Sequence, residues 1–251
     1  MRVFRADLHT HTVLSPCGDL EMSPINMLRK AKECGIDILG ITDHNSTLHA
    51  PLIRTLAEKE GMMVLMGAEV TTKEEVHCLC FFESEEELAL FQIYLDKHLP
   101  AIPNDVKHFG EQLVVNEKEE ILDEIEVLLI TGLDQSIEEV EQKVHELKGL
   151  FIPAHINKAR NSVISQLGFL PPDLRVDALE ISRHTTKEEF VGKNNYLKEY
   201  SFIQSSDAHY IDNIGNVCTH FLLKEASFSE IRKALKREDG RNVELNTIKT
   251  D

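Results

Sequence analysis

Short apolar runs that end in polar residues alternate with amphipathic stretches through the first third of the chain. "VFRADLHTH" has the pattern of a strand, and "SPINMLRKAKECG" that of a helix with Ser23 as N-cap, Pro24 in its first position and Gly35 just past its end. "IDILGITDHN" follows as an apolar strand with a polar end, then a helix ending near Gly61, then the strands "MMVLMGAEVTT" and "EVHCLCFF". This alternation predicts a mostly parallel α/β architecture. From about Ser84 to Leu99, and again from about Glu111 to Gly149, the period becomes helical; it breaks at "TGLDQS", where Asp134 or Ser136 would cap a new helix. We read about 104–149 as a helical insertion, either a cap beside an active site or ordinary outer-layer helices. The strand pattern returns in "GLFIPAHIN", "VDALEISRH" and "SFIQSSDAHY", and a last helix from about Phe228 to Lys236 precedes a polar tail. No internal repeat or low-complexity segment divides the sequence, so 1–251 is expected to form a single domain.

The polar residues collect where the apolar runs stop. Asp7, His9 and His11 alternate at the end of the first, and in a regular strand such positions share one face, the geometry of a chelate. Asp43 and His44 end the second run, Glu69 the third, His77 starts or sits within the fourth, His155 ends a later one, and Asp207 and His209 end the last. Carboxyl ends of barrel strands converge on one face, so one pocket can gather the whole set. Imidazoles and carboxylates suit zinc, manganese or iron, and a set this large exceeds the needs of one ion. Glu69 has two oxygens with which to bridge two cations. Singly these residues have plainer readings: Asp43-His44 as a turn, His155 as a core histidine. Their joint placement at strand ends is what favours the metal site. His49, His98, His108, His145 and His220 lack that placement and receive no role; His145, in a charged helical pattern, is expected to be solvated.

Composition narrows the partners. A formal net charge of −16 opposes binding to a long polyanion, so a stable nucleic-acid partner is not expected, while a small anion at a local positive site fits. No run approaches the roughly 18 apolar residues that span a bilayer, which leads us to expect a cytoplasmic protein without membrane contact. The five cysteines include no CxxC pair and suggest no disulfide framework. Cys78 and Cys80 should be buried structural thiols on the strand face opposite His77.

The series "DLHTHTVLSPCGD", "GITDHN", "GAEVTT", "EVHCLCFF", "PAHI" and "SDAH" resembles, in order and over nearly the whole span from Asp7 to His209, the polymerase and histidinol phosphatase (PHP) family of metal-dependent phosphoesterases. The resemblance implies a distorted seven-stranded (β/α) barrel, similar to a TIM barrel, with two or three divalent ions at the strand carboxyl ends. Carried over by position, His9, His11, Glu69 and Asp207 would hold the first metal. Glu69, His77 and His155 would hold the second, and His44, His209 and an acid from the loop after the first strand the third. Family members often follow the His-x-His pair closely with Ser-Asp-Gly; this chain reads Ser15-Pro16-Cys17-Gly18-Asp19. Asp19 is therefore the candidate for that acid, with Cys17 or water as alternatives. Asp7 and Asp43 are expected behind the ligands, orienting imidazoles by accepting their other N–H.

The chemistry expected from such a centre is phosphate ester hydrolysis by a metal-bridging hydroxide, since a water between two cations has its pKa lowered from about 15.7 toward neutrality. Arg183, Lys158 and Arg160 are the candidate phosphate clamps and His184 the candidate general acid beside catalytic Glu69. Surface basic residues without a role remain the alternative for Lys158 and Arg160. The expected substrate is a small phosphorylated metabolite or nucleotide. Histidinol phosphate or an oligonucleotide end is the narrower alternative; an amidohydrolase and a non-catalytic metal-binding domain are the more distant ones.

Overall fold

The computed structural model describes residues 1–245. Its strands are β1 (Arg2–Thr10), β2 (Ile38–Ile41), β3 (Met63–Thr71), β4 (His77–Phe82), β5 (Leu113–Val115), β6 (Ile121–Glu124), β7 (Leu150–Pro153), β8 (Leu179–Glu180), β9 (Phe202–Ile203), β10 (Thr219–Leu223) and β11 (Asn242–Leu245). The helices are α1 (Pro24–Glu33), α2 (Ala50–Glu58), α3 (Glu85–His98), α4 (Val106–Phe109), α5 (Ile137–Glu146), α6 (Val163–Leu167), α7 (Lys187–Lys193) and α8 (Phe228–Leu235).

Seven strands form one curled sheet in the order β11-β10-β1-β2-β3-β4-β7. Only β1–β2 and β2–β3 pair in parallel; β1–β10, β10–β11, β3–β4 and β4–β7 are antiparallel. The mostly parallel sheet expected from sequence is thus corrected. β3 and β4 are joined by only the residues 72–76, a hairpin length, whereas a parallel crossover needs about a dozen or more residues. The parallel pair β8–β9 continues the curl beyond β7 through Asp177 N→Phe151 O (2.9 Å) and Ile156 N→Glu180 O (2.8 Å). Backbone bonds His11 N→Ala208 O (3.0 Å) and Ala208 N→His9 O (3.2 Å) then bring the chain after β9 back against β1.

Two cores follow from strand alternation. Phe4, Ala6, Leu8, Ile38, Leu65, Leu79, Phe81, Ile152 and Ile203 fill the concave side, with Phe228, Ile231, Ala234 and Leu235 of α8 packed into the same cluster. The opposite faces, including Cys78 and Cys80, pack with the helices in a second cluster. Both thiols are fully buried and lie on the face away from His77, Leu79 and Phe81.

Local signals explain most helix boundaries. Ser84 and Glu87 form a capping box at α3, and Ser136 and Glu139 another at α5. Asp134 instead meets His98 Nδ1 at 2.7 Å. Ser23 stands at the N-cap of α1 but makes no side-chain cap; its hydroxyl donates to Glu119 Oε1. The expectation of a helical segment from Glu111 to Gly149 fails in its first half, where β5 and β6 form an antiparallel hairpin and only α5 is helical. The residues after α8 are not simply a polar tail, because β11 joins the main sheet and Arg241 grips Glu230 of α8 with Nε–Oε2 at 3.0 Å and Nη2–Oε1 at 2.7 Å.

Candidate metal centre

A bulge in β1 aims the first ligands. Asp7 pairs with Leu39 and Thr10 with Ile41, so three residue steps on β1 oppose two on β2. The extra residue breaks the alternation that would have put Asp7, His9 and His11 on one face. Asp7 faces away from the imidazoles and accepts backbone N–H groups from Ser206 (2.9 Å) and Gly215 (2.8 Å). His9 and His11 turn into the mouth of the barrel, their rings 5.2 Å apart.

The other strand ends complete the site. A parallel bridge links His44, just after β2, to Glu69 near the end of β3. Because β4 runs antiparallel, its first residue, His77, lies beside Thr71 at the same end of the sheet. His155 follows β7, and Asp207 and His209 follow β9. Glu69 is the hub: His9 Nε2 and His155 Nε2 approach Oε1 at 3.2 Å, His77 Nδ1 reaches it at 2.9 Å, and Oε2 faces His44 Nδ1 at 3.2 Å and His11 Nε2 at 3.4 Å. Asp207 Oδ1 lies 3.4 Å from His9 Nε2 and 3.7 Å from His11 Nε2. The His209 ring stacks on His11 at 4.2 Å.

This gathering is costly without a cation. His9 Nε2, His11 Nε2, His44 Nδ1 and His155 Nδ1 are buried and have no hydrogen-bond partner. Burial alone would raise Glu69's carboxyl, yet the imidazoles of His77 and His9 hold it well below the usual carboxylate range. Burial disfavours charge on His9 too, but Glu69, Glu180 and Asp207 together push it well above the ordinary imidazole value. His44, by contrast, is driven well below it by burial and by the neighbouring His11. The donors fit a metal: groups each about 2.1 Å from one tetrahedral cation stand about 3.4 Å apart, close to the observed spacings. Three sets place one donor atom each within 4.8 Å of one another: His9, His11 and Glu69; His44, Glu69 and His77; and His11, His44 and His209.

Asp19 is in none of those sets. Its Oδ1 accepts the N–H of Glu21, while its own N–H donates to His209 O, so it braces the loop. Gly18 permits that loop to close, since a Cβ there would lie 2.3 Å from Thr12 O. Cys17 is exposed. Asp43 touches no ligand imidazole; it accepts from Thr12 N (2.7 Å) and from Ser15 Oγ (2.7 Å), and Ser15 Oγ meets His11 Nδ1 at 3.1 Å. The role expected of Asp7 and Asp43, accepting the second N–H of a ligand, belongs to a residue that no motif in the sequence singles out. Glu180, buried at the end of β8, takes His9 Nδ1 with Oε2 at 3.0 Å and Oε1 at 3.2 Å and accepts His155 N at 2.9 Å. Asn161 Nδ2 donates to His77 Nε2 at 2.7 Å, the reverse direction. His155 (φ 30°) and Asp207 (φ 54°) both have left-handed backbones, an uncommon conformation that the Glu180 bond to His155 N helps hold at the first of them.

Beside the centre, His155, Lys158, Arg183, His184, Ser205 and Asp207 line a cleft of about 120 Å³. Arg183 and His184 are exposed there. Lys158 is not free: its ammonium pairs with Asp207 Oδ2. Arg160 is exposed and is not among the residues lining the cleft. His145 is not solvated as expected but clasped between Glu141 and Asp177.

Residues 7–156 match the PHP domain family, and residues 198–239 match a PHP-associated family. The chain is 26% identical to the uncharacterised protein YqxK of Bacillus subtilis (strain 168) across 98% of its own length and 65% of the relative's. It is 27% identical to a PolC-type DNA polymerase III of Caldanaerobacter subterraneus, covering 78% of this chain but 16% of the polymerase. Among solved structures, the lesion-specific endonuclease PfuEndoQ of Pyrococcus furiosus superposes with a TM-score of 0.73 at 20% identity, over 96% of this chain and 58% of the endonuclease. A putative metal-dependent phosphoesterase of Bifidobacterium adolescentis gives 0.55 at 20% identity over 82% and 87%. The chain thus spans under two thirds of the length of YqxK and of PfuEndoQ. No helix of the described residues is long and apolar enough to cross a membrane.

Proposed function

The chain belongs to the PHP domain family, and from that premise we propose that it is a metal-dependent phosphoesterase acting on a small phosphorylated metabolite or nucleotide. The observation that carries this reading is the set of buried, unpartnered imidazole nitrogens arrayed around Glu69. His9, His11, Glu69 and Asp207 would hold one cation, and Glu69, His77 and His155 a second. His44 and His209 would hold a third, with His11 beside them where an acid was expected. Bound there, divalent ions supply Lewis acidity, lowering the pKa of water and offsetting phosphoryl charge. Glu180 keeps His9 in the tautomer protonated at Nδ1, leaving Nε2 as the donor. Arg183 would offer a planar pair of N–H groups to phosphate oxygens, and His184, which lines the same cleft, would pass a proton to the leaving oxygen. The acidic surface favours small anions drawn to this local site over long polyanions.

The test is turnover of phosphate monoesters, diesters and nucleotide bisphosphates by metal-stripped protein reconstituted separately with manganese, zinc or iron, with an abasic DNA duplex, an amide and a lactone as further substrates. Metal-dependent release of phosphate from a small ester supports the reading. Turnover of the duplex alone would make the protein a nuclease, and turnover of the amide or lactone alone an amidohydrolase. Glu69→Gln should lose at least one bound metal equivalent by elemental analysis and lower turnover by more than about 100-fold. Unchanged activity would remove Glu69 from its bridging role.

A further inference from the structure

Asp207 divides its two oxygens between opposite neighbours. Oδ1 faces His9 and His11 at 3.4 and 3.7 Å, and Oδ2 takes the ammonium of Lys158. The lysine belongs to the turn after β7, where its N–H donates to His155 O at 2.9 Å. Its side chain, 38% exposed, also lines the cleft beside the centre. That cleft contains Arg183, which has no carboxylate partner within ion-pair distance among the described residues, and Ser205, whose buried Oγ has no hydrogen-bond partner. A cleft with a free guanidinium, an unused hydroxyl and an ammonium on a flexible stem suits an oxyanion.

We infer that Lys158 is a cation shared between Asp207 and the phosphate in this cleft, and that it couples metal binding to phosphate binding. With the cleft empty, the ammonium draws Asp207 toward itself and competes with a metal for the carboxylate charge. A phosphate draws the ammonium away and frees Asp207 for the metal. Each ligand therefore strengthens the other beyond their direct contact, by the reciprocity that links two binding equilibria. This rests on the phosphoesterase reading.

The experiment measures Mn²⁺ affinity calorimetrically, without and with saturating inorganic phosphate, for the wild type, Lys158→Met, Lys158→Gln and Arg183→Met. Two neutral replacements guard against one failing to fold. The expected result is a phosphate-induced tightening of Mn²⁺ binding in the wild type that falls at least about fivefold in both Lys158 variants and is kept in Arg183→Met. A pure phosphate clamp at Lys158 would weaken phosphate binding equally with and without metal and leave the tightening intact, overturning the inference. A lysine that only positions Asp207 would lower Mn²⁺ affinity by one factor in both conditions, and that result would overturn it too. Equal loss in Arg183→Met would do the same. No response to phosphate in any protein would sink the phosphoesterase reading itself.

Discussion

Both oxygens of Glu180 face His9 Nδ1, and Oε2 also accepts His155 N, so the carboxylate fixes which ring nitrogen of His9 is free to donate. Glu180→Gln should lower metal affinity about 10- to 100-fold in a chelator competition, because the amide no longer strengthens the imidazole as a ligand. Affinity equal to wild type would make Glu180 a packing residue only. Nothing in "ALEIS" announces this acid, which stands alone with no spacing to a second ligand. The imidazoles are different: His-x-His, Asp-His and Asp-x-His at the ends of apolar runs are readable because the pattern joins chemistry to strand ends. Asp7 departs from its expected place for a local reason. A single inserted residue turns its side chain away, and a bulge leaves no mark in a hydrophobic pattern that already alternates.

At the scale of elements, the capping boxes at Ser84 and Ser136 are legible because a cap is a short-range contact between residues three apart. The β5–β6 hairpin is not. Its strands are three and four residues long, and the acids around "VVNEKEEILDE" imitate a charged helix face. What holds the hairpin is distant in sequence. Buried His49 accepts Val115 N with Nε2 at 3.0 Å, and its Nδ1 meets Thr12 Oγ1 at 2.6 Å, so it ties β5 to the loop that follows β1. His49→Ala should cost about 2 kcal/mol of unfolding free energy in urea, by stranding the Val115 amide. A loss within error would mean that the hairpin is held elsewhere. α5 carries a pH-sensitive tie of opposite origin. Asp177 and Glu141 hold the His145 imidazole above its ordinary value against the effect of burial. Its contribution to stability is complete below about pH 6.5 and is lost as pH rises through the raised value. The destabilisation caused by His145→Gln should accordingly be larger at pH 6 than at pH 9 in paired denaturant titrations.

The whole molecule is a ring built from unlike parts. β1, β2 and β3 are parallel, β4 runs against them, β7 runs with them again, and the short β8–β9 pair leads back to β1. Seven strands were expected from the family resemblance, and the main sheet has seven, but their directions depend on connection lengths rather than on apolar periodicity. The return from β9 to β1 is made by two backbone bonds, His11 N→Ala208 O and Ala208 N→His9 O, and by Ser206 N→Asp7 Oδ1, without a continuous ladder. Those amides adjoin His9, His11 and Asp207, so a seam of the barrel that lacks a ladder runs beside the proposed metal site. A cation gripping imidazoles on one side of that seam and a carboxylate on the other acts as a rivet, and part of its binding energy becomes stability of the closed ring. Hydrogen exchange at His11 and Ala208 should slow on adding Mn²⁺ while amides in β10 and β11 change little. Exchange that slows uniformly across the sheet would instead mean that the ring opens only when the whole protein unfolds.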